Sequence, residues 1–157
     1  MENQPKPNFN RIDPQAGWAD ASSLPKGPNG RALCRFCSTE VKPPRRTFCS
    51  KICVTEWKIR TDPGFAKQKV FERDNGICAL CWVDTLKPQT REKFRLNKYI
   101  SRGARLSPWD MDHILPVSKG GGCCSLDNLR TLCKPCHKVE TAKLAACRAA
   151  ERKIKVG

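Results

Sequence analysis

Four pairs of cysteines constrain this chain more than any other feature: Cys34-x-x-Cys37, Cys49-x-x-x-Cys53, Cys78-x-x-Cys81 and Cys133-x-x-Cys136. A gap of two or three residues lets both sulfurs of a pair turn toward one point. Two pairs then complete a tetrahedron around a metal ion, with Zn–S bonds of about 2.3 Å. Nearest-neighbour pairing joins Cys34, Cys37, Cys49 and Cys53 into a local site, with eleven residues between its pairs. It joins Cys78, Cys81, Cys133 and Cys136 into a second site that closes a long loop. Four thiolates fill the coordination sphere, so both sites are expected to hold structural Zn²⁺ and to leave no position for a substrate. Cys123, Cys124 and Cys147 lack a partner at such spacing and read as small buried hydrophobes.

Such staples suit the composition. The 157 residues are 39% hydrophobic and only 7% aromatic, which argues against a large continuous core. No apolar run approaches a membrane span, and the first thirty residues lack a signal-peptide core. The expected setting is intracellular, in cytoplasm, nucleoid or nucleus, where thiols stay reduced and paired cysteines read as metal ligands. Thirty Lys and Arg against fifteen Asp and Glu give a formal charge of +15. Each Cys₄ zinc site carries about −2, so two of them leave about +11. That excess points to a polyanion partner rather than to solubility alone.

Along the chain, residues 1–32 are rich in Pro, Gly and Asn and read as a flexible tail. Residues 33–61 hold the first finger, and 62–157 form the remaining domain. A helix is expected where Asp62 can cap, Pro63 can open and Asn75-Gly76 can close the turns. Residues 87–105 carry seven Lys or Arg and one Glu and read as a basic helix or ordered insertion, with Arg91 and Arg95 facing phosphate. Strands are expected near 109–114 and 129–133, with a Gly-rich turn at 120–122 between them. A last helix runs from Pro135 toward 154. Lys138, Arg148, Arg152 and Lys155 share one face of it, as DNA-backbone contacts, and Val139, Ala142, Ala146 and Ala149 share another.

Both histidines of the chain lie within this last region. Asp112 and His113 end the first strand; fourteen residues separate His113 from Asn128, and eight separate Asn128 from His137, which follows Cys136 directly. The set "DH", "N" and "CH" around C-x-x-C pairs resembles the HNH endonuclease family, in its McrA-like, zinc-stapled branch. The likeness covers roughly residues 70–145. It implies an α+β fold: a ββα-metal nuclease preceded by a short Cys₄ finger similar to treble clefs. Such a finger followed by such a unit also resembles the tail of structure-specific annealing helicases, which hints at repair or replication substrates.

The residue types suit phosphodiester hydrolysis. Cutting needs a water, a base to take its proton, and a cation to hold charge on the phosphate. Neutral His113 is the expected base. Asp112 and His137 are the expected ligands of a catalytic divalent cation, Mg²⁺ or Mn²⁺ first, with Ni²⁺ or Zn²⁺ as alternatives. Asn128 is expected either to pin the bend at Asp112-His113 or to contact the metal. Thr141 stands one turn after His137, where some family members carry a further ligand, so two firm protein ligands are expected. A non-catalytic zinc-finger DNA-binding module and a protein-interaction adaptor are the alternative readings.

Overall fold

The structure is a computed structural model that describes residues 10–93 and 107–156, without the side chains of 91–93, 155 and 156. The chain divides into two compact units, Met1–Lys69 with His113–Leu129, and Val70–Asp112 with Arg130–Gly157. Among the described residues no helix is long and apolar enough to cross a membrane.

The first unit is built on a knuckle. Ser38 N–H donates to Cys34 O (2.9 Å), and Cys34 N–H donates to Thr39 O (2.8 Å), which folds the chain tightly around the first cysteine pair. Ser38 sits at φ 59°, a left-handed conformation the turn requires. Helix α1 (Lys51–Thr61) follows. Ser50 caps it by accepting the Cys53 N–H at 3.1 Å. The cap fixes the second pair: Cys49 precedes α1 and Cys53 lies in its first turn. Helix α1 was not legible in the sequence. Its composition, KICVTEWKIRT, is rich in β-branched residues, and its burial is confined to Cys53, Trp57 and Ile59. Asp62 then ends α1 and opens α2 (Pro63–Asp74), its Oδ1 accepting the N–H groups of Gly64 and Phe65 at 2.9 and 3.0 Å.

Residues 10–32, which composition assigns to a tail, are tied to this unit from residue 13 onward. Asp13 N–H donates to Arg60 O, and the Arg35 guanidinium donates to Gln15 O and Gly17 O. Arg35 also lies 4.5 Å from the Trp57 ring centroid, so one side chain couples knuckle, helix and N-terminal segment. Residues 1–9 lie outside the described residues.

The second unit repeats the knuckle forty-four residues later. Trp82 N–H donates to Cys78 O (2.9 Å), Cys78 N–H donates to Val83 O (3.0 Å), and Trp82 takes φ 59° as Ser38 does. A short helix α3 (Pro88–Lys93) begins the basic segment; residues 94–106 of that segment lie outside the description. Strands β1 (Trp109–His113) and β2 (Leu129–Cys133) pair as a two-stranded sheet, and helix α4 (Lys134–Val156) follows β2 directly. Asp112 meets Arg130, and Ile114 N–H donates to Asn128 O. These contacts step in opposite directions along the two strands, as antiparallel pairing requires. In this unit Cys78, Leu132 and Cys133 form a fully buried cluster against Val83 and Cys136, and Trp109 stacks on Phe71.

Asp74, the last residue of α2, ties that helix to the sheet: its Oδ2 accepts the Thr131 N–H at 3.1 Å. Burial acts to raise its pKa, but the Arg73 guanidinium and the Thr131 N–H outweigh it and hold the carboxyl below its ordinary value. Asp74→Ala strands a buried amide, at a cost of about 1–3 kcal/mol in stability at neutral pH. Because the folded pKa is depressed, the Asp74 contribution is complete above the unfolded value near ~3.9 and is lost as pH falls through the folded value. Urea titrations of both proteins at neutral and acid pH should show the gap closing in acid. Equal midpoints at neutral pH would refute the tie.

Candidate functional site

The two cysteine sets converge as their spacing requires. In each, the four sulfurs lie within 4.8 Å of one another. The Cys37–Cys49, Cys49–Cys53 and Cys37–Cys53 separations are 3.5, 3.4 and 3.7 Å, and Cys81–Cys133 is 3.6 Å. A tetrahedral site with bonds of about 2.3 Å has sulfur–sulfur edges of about 3.8 Å, whereas a disulfide needs about 2.05 Å. All eleven cysteines are free thiols. Hydrogen bonding by Thr39 pulls Cys37 down to about 6, while the thiols of Cys53 and Cys37 push Cys49 up to about 12. Sulfurs this close cannot all ionise against one another; a bound dication removes the conflict. Both sets therefore could hold zinc. Cys123 and Cys124 are half-buried with thiols raised by burial, in line with a packing role, whereas Cys147 is exposed.

In the second unit, β1 presents Asp110 and Asp112 on one face, because alternate strand residues share a side. Arg130 on β2 brings Nε and Nη2 to 2.9 Å of Asp112 Oδ2, and its Nη2 also reaches Glu140 Oε2 at 3.0 Å. Lys143 and Arg130 hold the Glu140 carboxyl below its ordinary value. Asp110 is shared as well: Lys134 Nζ lies 2.6 Å from Oδ1 and His137 Nδ1 lies 3.1 Å from Oδ2. With Nδ1 beside the Asp110 carboxylate, Nε2 is the His137 nitrogen left to coordinate. The Thr141 hydroxyl donates to His137 O at 2.9 Å, so it serves the helix backbone. Among the described residues, the groups of three or more ligating side chains are the two Cys₄ sets. Neither Asp112 nor His137 belongs to such a group. Asp110, Arg130 and Glu140 were missed. The available signals were the two-residue step from Asp110 to Asp112 and the three-residue step from His137 to Glu140.

In the first unit, His113 ends β1 and is half-buried. The backbone beyond it is clamped by Asn128. Asn128 Oδ1 accepts the Leu115 N–H at 2.7 Å, and Nδ2 donates to Leu115 O at 3.1 Å and Gly121 O at 2.9 Å. Both ends of the amide are thereby used on backbone. Gly120 takes φ 91°, and a Cβ on Gly121 would fall 1.9 Å from Leu115 O. The glycines are thus needed for a turn and for close backbone approach.

Lys138, Arg148 and Arg152 are exposed on α4, as are Val139, Ala142, Ala146 and Ala149 on its other face. The side chains of Arg91 and Lys155, and all of Arg95, lie outside the described residues.

The clamp has a measurable cost. Asn128→Ala removes three hydrogen bonds, each worth about 0.5–1.5 kcal/mol net, and Gly121→Ala forces the loop away from Leu115. Both variants should lower the denaturant midpoint with zinc content unchanged. A midpoint matching the parent for either variant would contradict the clamp.

Residues 96–143 match the family model described as HNH endonuclease. The chain is 33% identical over 155 residues to the protein named DNA annealing helicase and endonuclease ZRANB3 of Mus musculus, across 80% of this chain and 14% of that protein. The Homo sapiens protein of the same name is 37% identical over 127 residues, across 68% of this chain and 12% of that protein. The chain thus spans about a seventh of the length of these relatives. Among solved structures, the crystal structure of the human ZRANB3 HNH domain is 35% identical, covering 57% of this chain and 95% of that one, with a TM-score of 0.39. Asp112, His113, Asn128 and His137 all fall inside the matched segment, and that segment belongs to the HNH endonuclease family.

Proposed function

We propose that this protein hydrolyses DNA phosphodiester bonds with a divalent cation, acting inside the cell on repair or replication structures. The observation that carries the reading is the Asn128 clamp, which holds the backbone immediately after Asp112-His113 through three hydrogen bonds. A general base works only when its position is held against the reacting atoms. His113 takes the proton from water. Asp112 and His137 hold the cation, and Asn128 orders the loop. A bound divalent ion would supply charge stabilisation at the phosphate and leaving oxygen. Asp110 supports this by lying 3.1 Å from His137 Nδ1, and Arg130 by orienting Asp112. The two Cys₄ sets hold structural zinc. The phosphate backbone is gripped by Lys138, Arg148, Arg152 and Lys155 on α4, and by Arg91 and Arg95. The substrate setting follows the names of the relatives, which are annealing helicases and endonucleases.

The Arg130 grip on Asp112 favours a second reading, a DNA-binding module that does not cut, because a guanidinium already neutralises the proposed metal ligand. One experiment separates the two. Plasmid and branched DNA are incubated with zinc-loaded protein across a series of Mg²⁺ and Mn²⁺ concentrations. Parent protein should cut. His113→Ala should lose about 10²–10⁴-fold in rate at every metal concentration while retaining DNA affinity. Asp112→Ala and His137→Ala should recover partly as the metal is raised. Binding without cutting under all conditions would establish the second reading, and near-normal cutting by His113→Ala would remove the proposed base.

Elemental analysis should also find two zincs per chain. Zinc binding in finger peptides is worth about 10–16 kcal/mol, so Cys78→Ser should unfold the second unit, and a single zinc in folded, active protein would contradict the assignment.

A further inference from the structure

The first unit contains two kinds of arginine. Arg35 and Arg60 are consumed by the fold. Arg35 lies over Trp57 and donates to Gln15 and Gly17 carbonyls; Arg60 pairs with Glu56 at 2.6 Å and lies 4.9 Å from the Phe36 ring centroid. Arg45 and Arg46 are different. Both are exposed, and among the described residues neither has an acidic partner. They converge with Lys26 and Arg31 around a cleft of about 320 Å³, whose other lining residues are Ala21, Ser22, Ala32, Val41 and Pro43. No carboxylate lines it.

Four like charges around one concavity repel one another; Asp20 acts on Lys26 and Glu40 on Arg31, but among the described residues no carboxylate is paired with Arg45 or Arg46. Nor is the segment that carries them loose. Before it, Val41 N–H donates to Ala32 O at 2.9 Å; after it, Arg35 N–H donates to Thr47 O at 3.1 Å; within it, Arg45 N–H donates to Lys42 O at 3.1 Å. The loop 42–46 is therefore pinned at both ends to the first cysteine knuckle. The turn opposite is equally fixed: Glu40 accepts the N–H groups of Asn29 and Arg31 and the Asn29 amide. Glu40 thus spends its charge on organising the 27–31 turn and does not enter the cleft. A cation-lined cleft with an apolar floor suits a tetrahedral dianionic or monoanionic group whose oxygens accept from guanidinium forks.

We propose that this cleft binds backbone phosphate of the DNA substrate, making the first finger a second anchor separate from α4. The inference rests on the nuclease reading for the identity of the polyanion. Arginine suits this role because its fork meets phosphate oxygens in pairs, and such contacts hold register without reading bases. The finger then fixes where along the strand the bound DNA lies.

The test uses the full chain, loaded with zinc, in buffer without Mg²⁺ or Mn²⁺. Fluorescence anisotropy measures affinity for short labelled duplex and branched DNA across a salt series. Arg45→Ala with Arg46→Ala should weaken binding several-fold, equally across sequences, and lower the slope of log affinity against log salt by about two, one for each lost contact. Arg45→Lys with Arg46→Lys should retain the slope, since charge rather than shape is counted. Zinc content should match the parent in every variant. An unchanged slope in the zinc-loaded alanine variant would overturn the proposal, as would an unchanged DNA isotherm with loss of binding to an acidic peptide probe. Failure of the nuclease reading is seen separately: protein that never cuts but still loses salt slope with the alanine pair keeps the anchor and loses only the chemistry.

Discussion

Sulfur atoms held 3.4–3.7 Å apart are the constraint on which the rest of this fold depends. Such contacts are tolerable for neutral thiols and favourable for thiolates around a dication. Among the described residues the fully buried side chains of the second unit are few, namely Val70, Cys78, Thr85, Thr131, Leu132 and Cys133. Zinc binding of about 10–16 kcal/mol is comparable to the entire stability of a typical domain, about 5–15 kcal/mol. Each set also shares one plan. A knuckle with a left-handed residue after its second cysteine supplies one pair, and the start of a helix supplies the other. The second set thereby sets the position of His137, because Cys133 ends β2 and Cys136 lies in the first turn of α4.

Around that helix start, charge is distributed rather than isolated. Asp110 is divided between Lys134 and His137, and Arg130 between Asp112 and Glu140. Each carboxylate thus has a cationic or hydrogen-bonding partner that limits its orientation. Partial burial makes these pairs more than surface ornaments, since side-chain exposures for Arg130 and Asp112 are 15% and 19%. The arrangement limits the orientation of both carboxylates, with the Arg130 guanidinium held against Asp112. The Asn128 clamp adds a purely backbone form of order, holding Leu115 and Gly121 in contact without using any charge.

The basic excess is likewise not uniform. Some guanidinium groups are fastened by rings and carbonyls, as Arg35 is. Others, as Arg45, Arg46, Arg148 and Arg152, are exposed to solvent. Net charge alone predicts attraction to a polyanion; it cannot separate the cations that build the protein from those left to meet a partner.

The sequence by itself determined the features governed by short-range geometry. The two Cys₄ sets follow from pair spacing. The Asp62-Pro63 helix start, the Asn75-Gly76 exit and strands β1 and β2 follow from capping, turn chemistry and alternation. The resemblance carried by Asp112, His113, Asn128 and His137 was legible for the same reason. Tertiary structure alone decided the partners. Helix α1 forms from β-branched residues because Ser50 caps it and Cys53 anchors it. Residues 13–17 are ordered because Arg35 and Arg60 reach back to them. His137 pairs with Asp110, and Asp112 with Arg130, through strand and helix placement that no local pattern encodes. Arg45 and Arg46 meet Lys26 and Arg31 only because the knuckle folds two segments together. Local rules act between residues a few positions apart, whereas these contacts depend on which distant segments the cysteine sets bring face to face.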